Sequence, residues 1–169
     1  YARLIAEELK LTAMECDEIE AAAPMHDIGK IGIPDVILLK PGRHTPEEQE
    51  IMRRHPLIGH EILADSPSRY LQMGAVIALG HHEKFDGSGY PQGLAGDAIP
   101  LAARIVAVAD VFDALTSDRP YKRAWSFQDA LKYVQTESGH HFDPDCVRAF
   151  ERRIDSVVAI MRVLGDKHA

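Results

Sequence analysis

Cysteine and tryptophan are scarce in this chain, with two Cys and one Trp among 169 residues. Cys16 and Cys146 form no Cys-x-x-Cys pair, which excludes a disulfide framework and a thiolate-rich zinc module. Each falls in a helical pattern and reads as a small core residue. A reducing cytoplasm is therefore the expected compartment, with the domain free or tethered to a membrane sensor. Long apolar runs are lacking too. The best stretch, residues 99–115, is interrupted by Arg104, Asp110 and Asp113 and falls short of the ~18–20 residues a spanning helix needs, so no membrane insertion is expected. Positive charge is in deficit, 19 Lys and Arg against 26 Asp and Glu, for a net charge of −7. That argues against a broad basic surface for a nucleic-acid polymer, and leaves room for a small phosphorylated ligand held by local cations. The first residues, Tyr1-Ala2-Arg3-Leu4-Ile5-Ala6, carry no signal pattern. They read as helix with no cap before it, which predicts a fragment of a longer protein. There is no repeat, no low-complexity tract and no period-two run that would make a sheet.

The chain is 46% hydrophobic and 27% charged, the balance of a globular domain with a real core. The pattern is helical nearly throughout, predicting an all-α, single-domain helical bundle over residues 1–169. Leu4, Ile5, Leu9 and Leu11 belong to a first helix. A second runs from about Met14 through Ala21–Ala23 toward His26, with Pro24 marking a kink or restart. Residues 29–41 read as a loop with a short helix over 35–39. Thr45-Pro46-Glu47-Glu48 is a capping-box helix start, and that helix is expected to end at His55-Pro56. Another helix follows over 58–64. Residues 70–83 are periodic, with Leu71, Val76, Ile77 and Leu79 as buried candidates. Residues 85–100 form a long Gly/Pro-rich loop. Residues 100–117 are the most apolar helix, with Leu101, Ile105, Val108, Phe112 and Leu115 on one stripe. An amphipathic helix spans 126–137, and Asp143-Pro144 opens a last helix through Leu164.

Histidine–acid groups punctuate this scaffold: His26–Asp27, His55, His81–His82 and Asp110. Imidazoles and carboxylates bind iron, manganese, nickel or zinc, and six such groups exceed what one tetrahedral ion needs. They match two or more ions sharing a bridging carboxylate, an arrangement suited to hydrolysing phosphate esters. Each group also has a plainer reading. His26 at a helix end can bond terminal carbonyls. Asp110, within Val106-Ala107-Val108-Ala109-Asp110-Val111-Phe112, needs a partner if buried, a metal ion or an arginine, with Arg104 far along the helix. Asp113 is a ligand, a group that orients a histidine, or a proton acceptor. His60 competes with His55. His140–His141 precedes Phe142-Asp143-Pro144 and is assigned to a surface or capping role. Lys30, four residues after His26, and Arg119 and Lys122, after the Asp110 helix, are cations placed to meet a phosphate diester.

The text His26-Asp27-Ile28-Gly29-Lys30-Ile31-Gly32-Ile33-Pro34-Asp35, His81-His82-Glu83 and Asp86-Gly87-Ser88-Gly89-Tyr90-Pro91 resembles the HD-GYP family, a subgroup of the HD phosphohydrolases. The likeness runs from the first helix through Phe142-Asp143-Pro144. It implies a compact helical bundle that hydrolyses cyclic di-GMP to linear pGpG or on to GMP, through a hydroxide shared by two ions. It also implies a centre of two or three divalent metal ions, iron first, with manganese and then nickel, cobalt or zinc as substitutes. Carried over by position, the ligands are His26, Asp27, His55, His81, His82 and Asp110, with Asp27 bridging, and the likeness favours His55 over His60. Lys30, Arg119 and Lys122 would contact substrate phosphate. Asp27, Lys30 and Asp113 would serve the chemistry. Gly89, Tyr90 and Pro91 would shape the substrate entrance and a surface for GGDEF-domain partners; a homodimer is a further expected assembly. An upstream receiver or sensory domain is expected, and further ligands of three-metal members would lie before Tyr1. Two alternatives stand beside this reading. One is a catalytically silent module that binds cyclic di-GMP or a partner protein in signalling. The other is an HD-type hydrolase for another cyclic dinucleotide or a nucleotide.

Overall fold

The computed structural model describes residues 1–118 and 123–165. Ten α-helices account for most of it: α1 Ala2–Glu8, α2 Ala13–Ala22, α3 Asp35–Leu38, α4 Pro46–Met52, α5 His55–Leu63, α6 Arg69–Gly80, α7 Leu101–Thr116, α8 Phe127–Thr136, α9 Pro144–Arg152 and α10 Ile154–Gly165. Among the described residues there is no strand, only an isolated bridge between Ser138 and Phe142. The all-α expectation holds.

The apolar content of α7 places it at the centre. Ile105, Val108 and Phe112 are fully buried along it, and α1, α6, α8 and α9 pack around it. Phe112 is the hub: the rings of Phe150, Tyr1 and Phe127 lie 4.8, 5.5 and 6.0 Å away. Burying such a ring contributes roughly 1.5–3 kcal/mol.

Local chemistry sets most boundaries. Thr12 opens α2 and Thr45 opens α4, each through a reciprocal capping box with the glutamate three residues on. Asp143 accepts from the Asp145 amide to start α9, and its carboxylate also meets Arg104 at 2.7 Å. Arg104 thus ties α7 to α9, and Asp110 has a different partner.

Four details differ from the sequence reading. First, His26 ends a 3₁₀ turn and not α2 itself. α2 stops at Ala22, Pro24 sits in a 3₁₀ turn over Ala23–Met25, and a second 3₁₀ stretch, Ile28–Gly32, follows. Second, His55-Pro56 starts α5 instead of ending α4. A proline in the first turn loses no hydrogen bond, because that N–H has no partner within the helix. Third, the buried face of α6 is Gly74, Ala75, Ile77 and Ala78, whereas Leu71, Val76 and Leu79 are half-buried. α6 packs closely on α2 and α5, and small side chains permit that approach. Fourth, the last helix breaks at Arg153, whose guanidinium reaches Glu7 on α1 at 3.1 Å.

Candidate metal centre

His26 and Asp27 enter the site from the junction of the two 3₁₀ turns, the second of which abuts α5. Gly29 makes this contact possible, since a Cβ there would stand 1.9 Å from the His55 carbonyl oxygen and 2.4 Å from the Gly59 nitrogen. His55 comes from the first turn of α5, His81 and His82 from the end of α6, and Asp110 from the middle of α7. Donor atoms of Asp27, His55, His81 and His82 all lie within 4.8 Å of one another. His26 joins through Asp27 at 3.3 Å and reaches Asp110 at 3.4 Å.

Three of the rings are aimed by backbone. The Nδ1 of His26 meets the Ala23 carbonyl at 2.8 Å, that of His55 meets Met52 O at 2.8 Å, and that of His81 meets Ala78 O at 3.0 Å. A carbonyl only accepts, so each Nδ1 carries the hydrogen and each Nε2 faces the site. His55 and His81 are each only 2% exposed, and their Nε2 atoms approach to 3.5 Å. In neutral rings those two nitrogens present lone pairs to one another, an arrangement that a cation between them relieves. The donor set of imidazoles and carboxylates suits a divalent metal ion.

Asp27 divides its oxygens between two groups. Oδ1 lies 3.3 Å from His55 Nε2 and 3.8 Å from His81 Nε2, while Oδ2 lies 3.3 Å from His26 Nε2 and 2.6 Å from Lys30 Nζ. Burial works against its charge, but hydrogen bonds from His26 and Lys30 hold its pKa well below the usual carboxylate range. Burial also opposes a charged His26, yet hydrogen bonds to Asp110 and Asp27 outweigh it and push its pKa up to about 10. Burial, reinforced by the neighbouring histidines, lowers His81 to about 4 and His82 to about 3. These two rings are neutral near pH 7, as ligation demands.

Asp110 is half-buried, with 28% of its side chain accessible. Its neighbour is His26. Asp113 is exposed and lies outside the group, on a cavity of about 250 Å³ shared with Tyr1, Ala23, His26 and Asp110. His60 is also outside, with its Nδ1 at 3.3 Å from the Ala75 carbonyl. Arg119 and Lys122 lie outside the described residues.

The Gly/Pro-rich loop folds back over the imidazoles. Tyr90 stacks on His82 with centroids 4.8 Å apart and planes 17° from parallel, and its amide donates to the His82 carbonyl at 3.2 Å. Gly89 admits no side chain, because a Cβ would come within 2.3 Å of the Lys84 nitrogen. Two anchors escaped the sequence reading. Glu83 is 2% exposed, and its carboxylate accepts from the amides of Gln92 at 2.7 Å and Leu94 at 3.0 Å. The carbonyls of His140 and His141 take the amides of Asp86 and Phe85 at 2.9 and 3.1 Å. An acid directly after a histidine doublet was the available signal for Glu83. The doublet at 140–141 gave none, because it acts through backbone.

Known proteins match this chain along most of its length. The HD domain family profile matches residues 1–146. The chain is 60% identical over 151 residues to the cyclic di-GMP phosphodiesterase response regulator RpfG of Xanthomonas campestris pv. campestris, covering 89% of this chain and 40% of that protein. It is 51% identical over 158 residues to a cyclic di-GMP phosphodiesterase of Thermotoga maritima, covering 94% of this chain and 43% of the relative. The chain thus spans less than half the length of these relatives. The crystal structure of a cyclic GMP-AMP specific phosphodiesterase of V. cholerae superposes with a TM-score of 0.69 at 21% identity, over 95% of this chain and 43% of that one.

Proposed function

Because the chain belongs to the HD domain family, we propose that it is a metal-dependent phosphodiesterase domain that hydrolyses cyclic di-GMP to pGpG or on to GMP. The reading rests most directly on one observation, the convergence of His55 and His81 Nε2 on the same oxygen of Asp27. The names of the two relatives supply the substrate class. Residues 1–169 form the catalytic domain in this reading, joined to a receiver or sensory domain in the cytoplasm.

His26, Asp27, His55, His81, His82 and Asp110 would hold two or three divalent ions, iron first and manganese as its substitute. When bound, the ions would supply an activated water at neutral pH and clamp a non-bridging phosphate oxygen. The rest belongs to the chain. The backbone carbonyls at Ala23, Met52 and Ala78 keep the imidazoles pointed inward, with no reorganisation left for the moment of reaction. Asp27 can serve two ions because its oxygens face different donors. Lys30, with its side chain 39% exposed and its Nζ beside Asp27, carries a proton where the departing 3′-oxygen needs one and offsets charge on the phosphate. Asp113 stands at the adjacent cavity as a proton acceptor. Arg119 and Lys122, like Lys30, contact substrate phosphate, and Gly89, Tyr90 and Pro91 shape the entrance and a surface for GGDEF-domain partners.

The test is turnover of cyclic di-GMP by manganese- or iron-loaded protein, with product followed by chromatography and metal by elemental analysis. His26→Ala with Asp27→Ala is expected to abolish bound metal and turnover together. Turnover that survives without metal overturns the assignment.

A further inference from the structure

We propose that Arg53 binds the second phosphodiester of the cyclic dinucleotide, so that it sets preference for a two-phosphate ring over a simple diester. This rests on the dinucleotide reading above. A cyclic dinucleotide carries two phosphodiesters, and only one can be cut at the histidine–aspartate centre at a time. The other needs a cation at the rim, in a protein whose net charge of −7 would otherwise repel it.

Arg53 is placed for that role. It is the capping residue at the end of α4, with its amide bonded to Gln49 O at 2.9 Å, and it precedes His55 by two residues. Its side chain is exposed, and the guanidinium carbon lies 5.1 Å from the Tyr90 ring centroid. Tyr90 in turn stacks on His82. The sequence guanidinium, phenol ring, imidazole therefore runs from the rim to the centre. Arg3, Arg69 and Arg104 are engaged by carboxylates at 2.6, 2.8 and 2.7 Å. Arg53 pairs with no carboxylate among the described residues, and its planar fork is open to two phosphate oxygens. Stacking against Tyr90 holds the fork in place without neutralising it.

A prop for Tyr90 would have different consequences: it would affect every diester alike. The experiment compares cyclic di-GMP with bis(p-nitrophenyl) phosphate, which has a single phosphate, on manganese-loaded protein. In Arg53→Ala, the ratio of kcat/KM for cyclic di-GMP to that for the small diester is expected to fall at least ~10-fold, mainly through KM. Arg53→Lys should recover only part of the loss, because an ammonium lacks the fork. Calorimetric titration of the metal-free protein with cyclic di-GMP should show Kd raised about 10-fold in Arg53→Ala. A ratio unchanged from wild type, or both substrates losing in proportion, overturns the role of Arg53 while leaving the phosphodiesterase reading intact. Wild-type protein that neither binds nor cleaves cyclic di-GMP overturns that reading, and this inference with it.

Discussion

A methyl group on Gly29 would collide with backbone, not with a flexible side chain: the His55 carbonyl oxygen at 1.9 Å and the Gly59 nitrogen at 2.4 Å. Neither can rotate away, so α5 would have to move, carrying His55 off Asp27. Gly29→Ala is expected to destabilise the fold by about 1–3 kcal/mol, the usual range for overpacking, and to lower metal content. Thermal melts and elemental analysis check both, and a variant with wild-type metal content would show that α5 can shift without the site. At this scale much of the site was legible. His26–Asp27 and His81–His82 are dense in ligand types, and a resemblance tied them together. Spacing alone could not separate His55 from His60, since the choice depends on where α5 begins. Glu83 was hidden for another reason. Its oxygens bond amides nine and eleven residues downstream, and only the path of the loop reveals that.

Elements were easiest to read where side chains cap backbone. Thr45 and Glu48 name the start of α4, and the structure has both halves of the box, 3.3 Å from the Glu48 amide to Thr45 Oγ1 and 2.8 Å from the Thr45 amide to Glu48 Oε2. Removing such a cap costs about 1 kcal/mol, so Thr45→Ala should lower Tm by about 2–4 °C in a domain this size. Metal content measured on the same sample should stay level. A parallel loss of metal would mean that α4 unravels as far as Met52, whose carbonyl aims His55. Ends governed by tertiary contact were harder. The face of α6 selects small residues because α2 and α5 come close, and periodicity assigned burial to its larger side chains instead. The break at Arg153 follows an ion pair with α1, 146 residues away in sequence, which no local pattern contains.

Across the whole molecule, one centre gathers residues from four separate stretches of chain, and its histidines link folding to acidity. His55, His81 and His82 have folded-state pKa values below that of a free imidazole, chiefly through burial. Each stays neutral in the fold while its unfolded counterpart takes up a proton below pH ~6.5, so their contribution is present above that value and drains away as pH falls. His26 is opposite in sign: its raised pKa adds stability below ~6.5 that is lost only as pH climbs through about 10. Between about pH 6 and about pH 4 the His26 contribution is level, while those of the three rings with lowered pKa are lost. Metal-free protein should therefore melt at lower temperature at pH 4 than at pH 6 by circular dichroism. An unchanged Tm would mean the three rings are as accessible to protons as in the unfolded chain.

Glu83 is joined by one peptide bond to His82, and its carboxylate grips the stretch that follows Tyr90 and Pro91. The loop is thus tied twice to the end of α6, through the Tyr90 ring on His82 and through Glu83 beside it. Displacing the loop would pull on the backbone that carries His82.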